Sequence, residues 1–369
     1  MRMLRPRNAV LALCLGLVVA VVAALPAGAA KDATPLVPVT FRADFFHSDA
    51  HAGIFAGVTK GFWEKEGLKV TILPGSGSAT TVQQVASGND TFGYANAFTM
   101  AQQVVRGADV TAIASTRQVF DGGVVYWPDA GITRPADLQG KLYMAVPAGF
   151  IDALLPLFAE SSGGWDHTKM RSQAVDPAAG NALFAAKRAD AISGTKTQLL
   201  LNPIPAGSQP PRIFAYSDYD IDPLGFVVVA NSRQMRGQPG LMKKFVAGYV
   251  KAWNWACANP RQAVTLARAN YTTTVSVDQG VELWKLVCSF KRTKAAATAK
   301  QATGYMMLAD WARTVKILRS NPDLFGSQRN VPPAATLFTN TYVNQVFPAP
   351  CAKNQKSTAK KPCKPGGYS

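Results

Sequence analysis

Between Val37 and Ser115, short β-branched runs alternate with stretches of helical periodicity, and this alternation constrains the fold more than any other feature. Strands are expected at 37–41, 69–73, 90–94 and 110–115, with helices at 53–66, 80–86 and 98–106 between them. Such a βαβαβ rhythm demands a largely parallel sheet, because parallel neighbours need a crossover, and crossovers are right-handed. A second alternating unit follows. Strands are expected at 122–126, 143–146, 191–193 and 213–216, helices at 150–161 and 181–187, and a turn with a short helix at 131–141. The chain returns through a β-rich run at 220–231 and is then nearly all helical to Ser320. Apolar residues recur at helical spacing in 241–258, 260–270, 277–288 and 302–319, and Pro260 suits a first helical turn. The expected fold class is α/β with two lobes, each a mostly parallel sheet flanked by helices, and a helical C-terminal region packed on lobe one. Lobe one takes 30–121 and the return 223–345, lobe two takes 122–222, and a basic tail takes 346–369. The two crossings, near 119–125 and 222–228, are expected to form a hinge.

The first 29 residues read as a secretory signal peptide. Arg2, Arg5 and Arg7 form a basic start, Ala9 to Leu25 an apolar core, and Ala27-Gly28-Ala29 a small-x-small cleavage pattern. An apolar run of about 17 residues, followed at once by Pro26, is short for a membrane span. Cys14 lies inside that core, which argues against a lipid-modified cysteine. The mature chain is therefore expected in the periplasm, about 340 residues long and large enough for two domains. It keeps four cysteines: Cys257, Cys288, Cys351 and Cys363. An even count in an oxidising compartment favours disulfides. Of the three possible pairings, Cys257–Cys288 and Cys351–Cys363 are preferred, since the first two lie in consecutive helical segments and the last two flank a polar tail. None has C-x-x-C spacing. The formal net charge is +17, of which the signal peptide contributes three, so about +14 remains. The five lysines between Lys353 and Lys364 read as a solvated end. A secreted basic chain does not meet nucleic acid routinely, so attraction to anionic envelope components is the expected consequence of that charge.

Ligands of open α/β sheets collect beyond the carboxyl ends of strands, where helix starts aim N–H groups outward. Five unusual stretches fall there: FFHSDAH after the first strand, PGSGSATT after the second, YANAF after the third, and VPAGFID and SGTKT in lobe two. They are expected to face one another across a cleft that takes a small molecule. Phe46, Phe98 and Phe150 would stack against a ring, with core packing as the competing role. His51, Ser76, Ser78, Asn96 and Thr195 would supply hydrogen bonds, and Gly77 and Gly149 would open helix starts. His47 is placed with His51 at the pocket lip. A zinc-capture site built on His47, Asp49 and His51 lacks a third or fourth His or Cys at a comparable strand end. A secreted hydrolase lacks any G-x-S-x-G elbow, H-E-x-x-H helix or acid pair. No catalytic residue, metal or cofactor is assigned, and a monomer is expected.

Several of these stretches resemble a known family. DFFHSDAHAGIFAG, through Asp44, His51, Gly53, Ile54 and Phe55, is similar to the opening of substrate-binding proteins that capture the pyrimidine precursor of thiamine. Phe45 stands where those proteins carry Trp, and His47-Ser48 where they carry Pro-Asn. GFWEKEGLKV, ASGNDTFGYAN, GITRPADLQGK, AKRADAISG and the segment 241–267 extend the resemblance over most of the mature chain. Some of these motifs are shared with relatives that bind sulfonates, taurine, nitrate and aromatic acids. The resemblance implies a type II periplasmic binding protein, the soluble component of an ATP-driven importer that delivers its ligand to an inner-membrane permease. The acidic residue that follows the G-x-v-D-A strand in the family is missing here. Thr195 and Lys196 stand in its place, and Lys196 would welcome an anionic ligand. The cysteine-rich motif of the intracellular pyrimidine synthases is absent.

Overall fold

The computed structural model describes residues 35–146, 149–200, 204–321 and 330–348. The expected signal peptide, the expected Cys351–Cys363 disulfide and the lysine tail lie outside them. The first alternating run is β1 (Val37–Arg42), α1 (Ala52–Thr59), β2 (Leu68–Leu73), α2 (Ser78–Ala86), β3 (Phe92–Asn96), α3 (Ala97–Val105) and β4 (Val110–Arg117). The second is β5 (Gly122–Tyr126), β6 (Leu142–Ala145), α4 (Phe150–Ala153), α5 (Leu155–Ser161), β7 (Arg171–Ala174), α6 (Pro177–Ala185), β8 (Ala191–Thr195), α7 (Lys196–Leu199) and β9 (Arg212–Ala215). Then come β10 (Phe226–Asn231), α8 (Ser232–Gly237), α9 (Pro239–Ala258), α10 (Pro260–Ala267), α11 (Val277–Ser289), α12 (Lys294–Thr298), α13 (Leu308–Arg319) and α14 (Thr341–Val346).

Two five-stranded sheets result, ordered β2-β1-β3-β10-β4 and β7-β6-β8-β5-β9. Each is mostly parallel with one strand reversed. In the first sheet the reversed strand is β10, antiparallel to β3 and β4; in the second it is β5, antiparallel to β8 and β9. The reversed strands are the ones that follow the two crossings between sheets. The chain leaves lobe one after Arg117 and re-enters it at Phe226, and these two residues pair across β4 and β10. The crossings touch: Gly225 N–H donates to Gln118 O at 2.9 Å.

Lobe one is closed by the C-terminal helices. Its core is an aromatic stack in which Phe245 of α9 lies 3.8 Å from Phe92, 5.2 Å from Trp63 and 5.0 Å from Phe41, measured between ring centroids. Offset and edge contacts of this kind add to the area they bury. Cys257 and Cys288 stand at disulfide-bonded distance, 2.03 Å, and tie the end of α9 to the end of α11.

Three expected elements differ. The helix expected at 53–66 stops at Thr59 and leaves only a 3₁₀ turn at Glu64–Glu66, because Gly61 takes a left-handed φ of 64° and turns the chain back. The helix expected at 150–161 is interrupted at Leu154, where Pro156 has no N–H for an uninterrupted ladder. The helix expected at 302–319 begins only at Leu308, since Gly304 is used to bridge the backbone of Ser115. Strand β7 (sequence RSQA) was not anticipated; all four residues are exposed, so it carries no apolar alternation to read.

Candidate functional site

The loop after β1 builds one wall. Ser48 N–H donates to His51 Nδ1 at 3.2 Å, so Nε2 is the nitrogen that donates to Asp44 Oδ1, 2.9 Å away. Asp44 Oδ2 accepts no bond from any described residue. Asp49 is drawn the other way: Oδ1 accepts from Arg268 Nε at 2.9 Å and from the Tyr271 hydroxyl at 2.5 Å, and Oδ2 from Arg268 Nη2 at 2.7 Å. This pair, a buried Asp49 and a half-buried Arg268, fastens the loop to the C-terminal helices. The Gly/Ser turn after β2 lies directly on the same loop. Gly77 N–H donates to Asp44 O at 2.9 Å, and a Cβ on Gly75 would sit 2.1 Å from Ala43 O.

Lobe two supplies the facing wall. Asp152 Oδ1 accepts from the Tyr143 hydroxyl at 2.7 Å and Oδ2 from Val146 N–H at 3.1 Å. Burial pushes the Asp152 carboxyl above its usual range, against the pull of those bonds. Gln198 Nε2 donates to Asn181 Oδ1. Phe150 meets Phe226 edge-on at 6.1 Å, bringing a ring from each lobe together. Arg117, 5% exposed, lies 4.7 Å over the Phe226 ring, and its Nη2 donates to both oxygens of Asp121 at 2.9 and 2.8 Å. Burial, the largest single influence, works against the guanidinium's charge, but Asp121, Tyr94 and Asp44 together outweigh it and hold the Arg117 pKa above its usual value.

Between these walls lies a cavity of about 290 Å³, lined from both lobes. Four of the five unusual strand-end stretches contribute to it. Of the residues singled out in the sequence, Phe46, His51, Ser76, Gly77 and Ser78 line it from lobe one, and Gly149, Phe150 and Thr195 from lobe two. His47, Asn96, Phe98 and Lys196 are not on its wall. His47 packs edge-on against Phe55 at 5.0 Å, and burial, with His51 nearby, lowers its pKa. Asn96 caps α3, its Oδ1 accepting from Phe98 N–H and Thr99 N–H, and Phe98 is fully buried in the core. Asn96 ends β3 and Phe98 follows it; β3 is an interior strand buried along its whole length, and neither side chain is on the cavity wall. Asp44, Arg117, Asp152, Asn181 and Gln198 line the cavity and were not among the candidates. Two signals pointed to some of them: the match of Asp44 to the family opening, and the place of Asp152 at the end of VPAGFID. Among the described residues no group of three or more His, Cys, Asp or Glu is arranged to hold a metal. Nor is any helix there long and apolar enough to cross a membrane.

Two mixed sheets joined by paired crossings around a lined cavity define the two-lobe fold of type II periplasmic binding proteins. Solved structures share it. The alkanesulfonate-binding protein SsuA of Xanthomonas axonopodis pv. citri, bound to MOPS, matches with a TM-score of 0.58 at 14% identity, over 83% of this chain and 99% of that one. The nitrate-binding protein NrtA of Synechocystis PCC 6803 matches with a TM-score of 0.61 at 12% identity, over 84% and 88%. More narrowly, the chain belongs to the NMT1/THI5-like family, whose model matches residues 48–263. A formylaminopyrimidine-binding protein of Halalkalibacterium halodurans is 22% identical over 246 residues, 65% of this chain and 73% of that protein. A 4-amino-5-hydroxymethyl-2-methylpyrimidine phosphate synthase of Aspergillus parasiticus is 30% identical over 104 residues, 28% of this chain, and the match spans 30% of the synthase's length.

Proposed function

We propose that this protein is an extracytoplasmic solute-binding protein that captures an amino-substituted pyrimidine between its lobes, without turnover, and delivers it to the permease of an ATP-driven importer. The family and its pyrimidine-binding relative support the class of ligand. The observation that carries the choice over sulfonate or nitrate is the charge of the wall. Its one arginine is already matched by Asp121, and Lys196, which would have welcomed an anion, is not on the wall. Asp44 instead offers a carboxylate oxygen with no partner among the described residues. An aminopyrimidine presents an amino N–H donor that suits such a carboxylate, and its ring fits against Phe46 and Phe150. A cavity of about 290 Å³ is also far larger than nitrate needs.

Calorimetric titration with formylaminopyrimidine, an alkanesulfonate and nitrate tests this reading. The pyrimidine is expected to bind and be recovered unchanged, and Asp44→Asn to weaken it about 10- to 100-fold, the worth of a charge-assisted hydrogen bond. Binding of the sulfonate or nitrate in preference to the pyrimidine refutes the assignment. Conversion of the ligand into product refutes the claim of no turnover.

A further inference from the structure

The guanidinium on the cavity wall is bonded on one nitrogen only. Nη2 of Arg117 makes all of its contacts with described residues: both Asp121 oxygens, and Thr197 Oγ1 at 3.1 Å. Nε is sealed from solvent and meets no acceptor. Nη1 donates no hydrogen bond to the described residues either. The Tyr94 hydroxyl beneath is equally without a partner, on a ring stacked 5.3 Å from Phe226, the same ring that carries Arg117. Buried donors are rarely left unmade in a folded protein, and those that are call for an acceptor from outside the chain. The charge around this group is settled: Asp121, 2% exposed, faces Arg117 at 2.8 Å. A second anion at Arg117 would meet a carboxylate already in place, whereas a neutral oxygen would meet the free N–H donors of Nη1.

We propose that Arg117 determines specificity by donating to a neutral acceptor, a carbonyl or amide oxygen, on the substituent of the bound heterocycle, and that Asp121 sets this preference by cancelling the guanidinium's charge. This rests on the pyrimidine reading and deepens it. Asp44 takes the donor edge of the ring, Arg117 takes the acceptor on its side arm, and the ligand is oriented between them. Thr197, which accepts from Arg117 Nη2 and donates to Asp121 Oδ2 at 3.1 Å, belongs to lobe two, so the same group links the lobes beneath the ligand.

Three aminopyrimidines that differ only in one ring substituent test it: none, a formylaminomethyl group, and a carboxymethyl group. In wild-type protein the amide is expected to bind at least about tenfold more tightly than the unsubstituted ring, a gain typical of one charge-assisted hydrogen bond, and more tightly than the carboxylate. Arg117→Lys, which keeps the charge opposite Asp121 but removes Nε and Nη1, is expected to shrink the amide's advantage to within about twofold. Asp121→Asn is expected to shift the preference toward the carboxylate. Arginine-selective ¹H–¹⁵N NMR of the wild type gives a readout independent of any variant's folding: the Arg117 Nε–H resonance should move with the amide and not with the unsubstituted ring. An Arg117→Lys variant that keeps the amide's advantage, or an Nε–H signal indifferent to the amide, overturns the proposal and leaves a buried water as the missing acceptor. If none of the three rings binds the wild type, the pyrimidine reading itself fails and this inference falls with it.

Discussion

His47, Asp49 and His51 stand within five residues of one another, yet they face three environments. His51 holds Asp44 at the cavity, Asp49 is locked to Arg268 and Tyr271, and His47 rests on Phe55. Neighbours in sequence that look like a ligand set are thus divided among a pocket, an anchor and a packing contact. Asp152 shows how a single residue on the facing wall ties stability to pH. Burial raises its pKa, although Tyr143, Val146 and Ser193 all bond it in the opposing sense. The folded protein therefore keeps the Asp152 proton to higher pH than the unfolded chain does. Its contribution to stability is whole below the unfolded value of about 3.9 and is lost as pH rises through the raised folded value. Asp152→Asn removes this titration while staying neutral. Urea melts of both proteins at stepped pH should show the wild type losing ground to the variant as pH climbs from about 4. A wild-type advantage that grows over that range contradicts the assigned shift.

At the scale of elements, the packing of α1 on α9 turns on one indole. Trp63 is 1% exposed, donates from Nε1 to Phe245 O at 2.9 Å, and fills space left by two glycines. A Cβ on Gly57 would fall 2.1 Å from its ring and one on Gly248 2.2 Å from it. Gly57→Ala and Gly248→Ala should each destabilise the protein by about 1–3 kcal/mol in denaturant melts, the usual effect of overfilling a packed core. The double variant should cost less than the two together, because one displaced indole relieves both clashes. Strictly additive losses would mean that the helices do not share this wedge. The same residue marks how much could be read in advance. The strands and helices of both lobes were legible because burial on one face imprints a period of 2 or 3.6. The early end of α1 was not, since Trp63 folds back toward a partner 182 residues away. Strand β7 left no apolar pattern because it buries none of its residues. The loops around the cavity were legible from their glycines and hydroxyls at strand ends. Arg117 was not: at the end of a buried strand it looks like a boundary charge until Asp121, Thr197 and Phe226 are placed around it. Asn96 and Phe98 lie off the cavity wall, which the sequence does not display, because only the strand order reveals that β3 lies in the interior of its sheet.

For the whole molecule, the consequence of two sheets joined by paired crossings is that relative motion must pass through very few residues. Both crossings are pinned on the lobe-one side. Gln118 N–H donates to Phe290 O at 2.6 Å and its side chain to Tyr305 O, while Leu224 N–H donates to Thr314 Oγ1 at 2.7 Å and Arg313 Nε to Asp222 O at 2.7 Å. Motion of lobe two is therefore expected to concentrate beyond these anchors, between Val119 and Gly122 and just before Asp222. A ligand that bonds walls from both lobes favours whichever arrangement brings them together, by as much as its differential affinity allows. Small-angle scattering should then show a smaller radius of gyration when a saturating pyrimidine is added. Gly225 sits where the crossings touch, and a Cβ there would lie 2.3 Å from Arg117 O and 2.9 Å from Val119 O, both backbone atoms that cannot rotate aside. Gly225→Ala should force the crossings apart, lowering stability by about 1–3 kcal/mol and weakening the ligand-induced contraction. A wild-type radius that does not change with a ligand proven to bind would show that capture proceeds without hinged closure. A Gly225→Ala protein that contracts as fully as the wild type would place the pivot elsewhere.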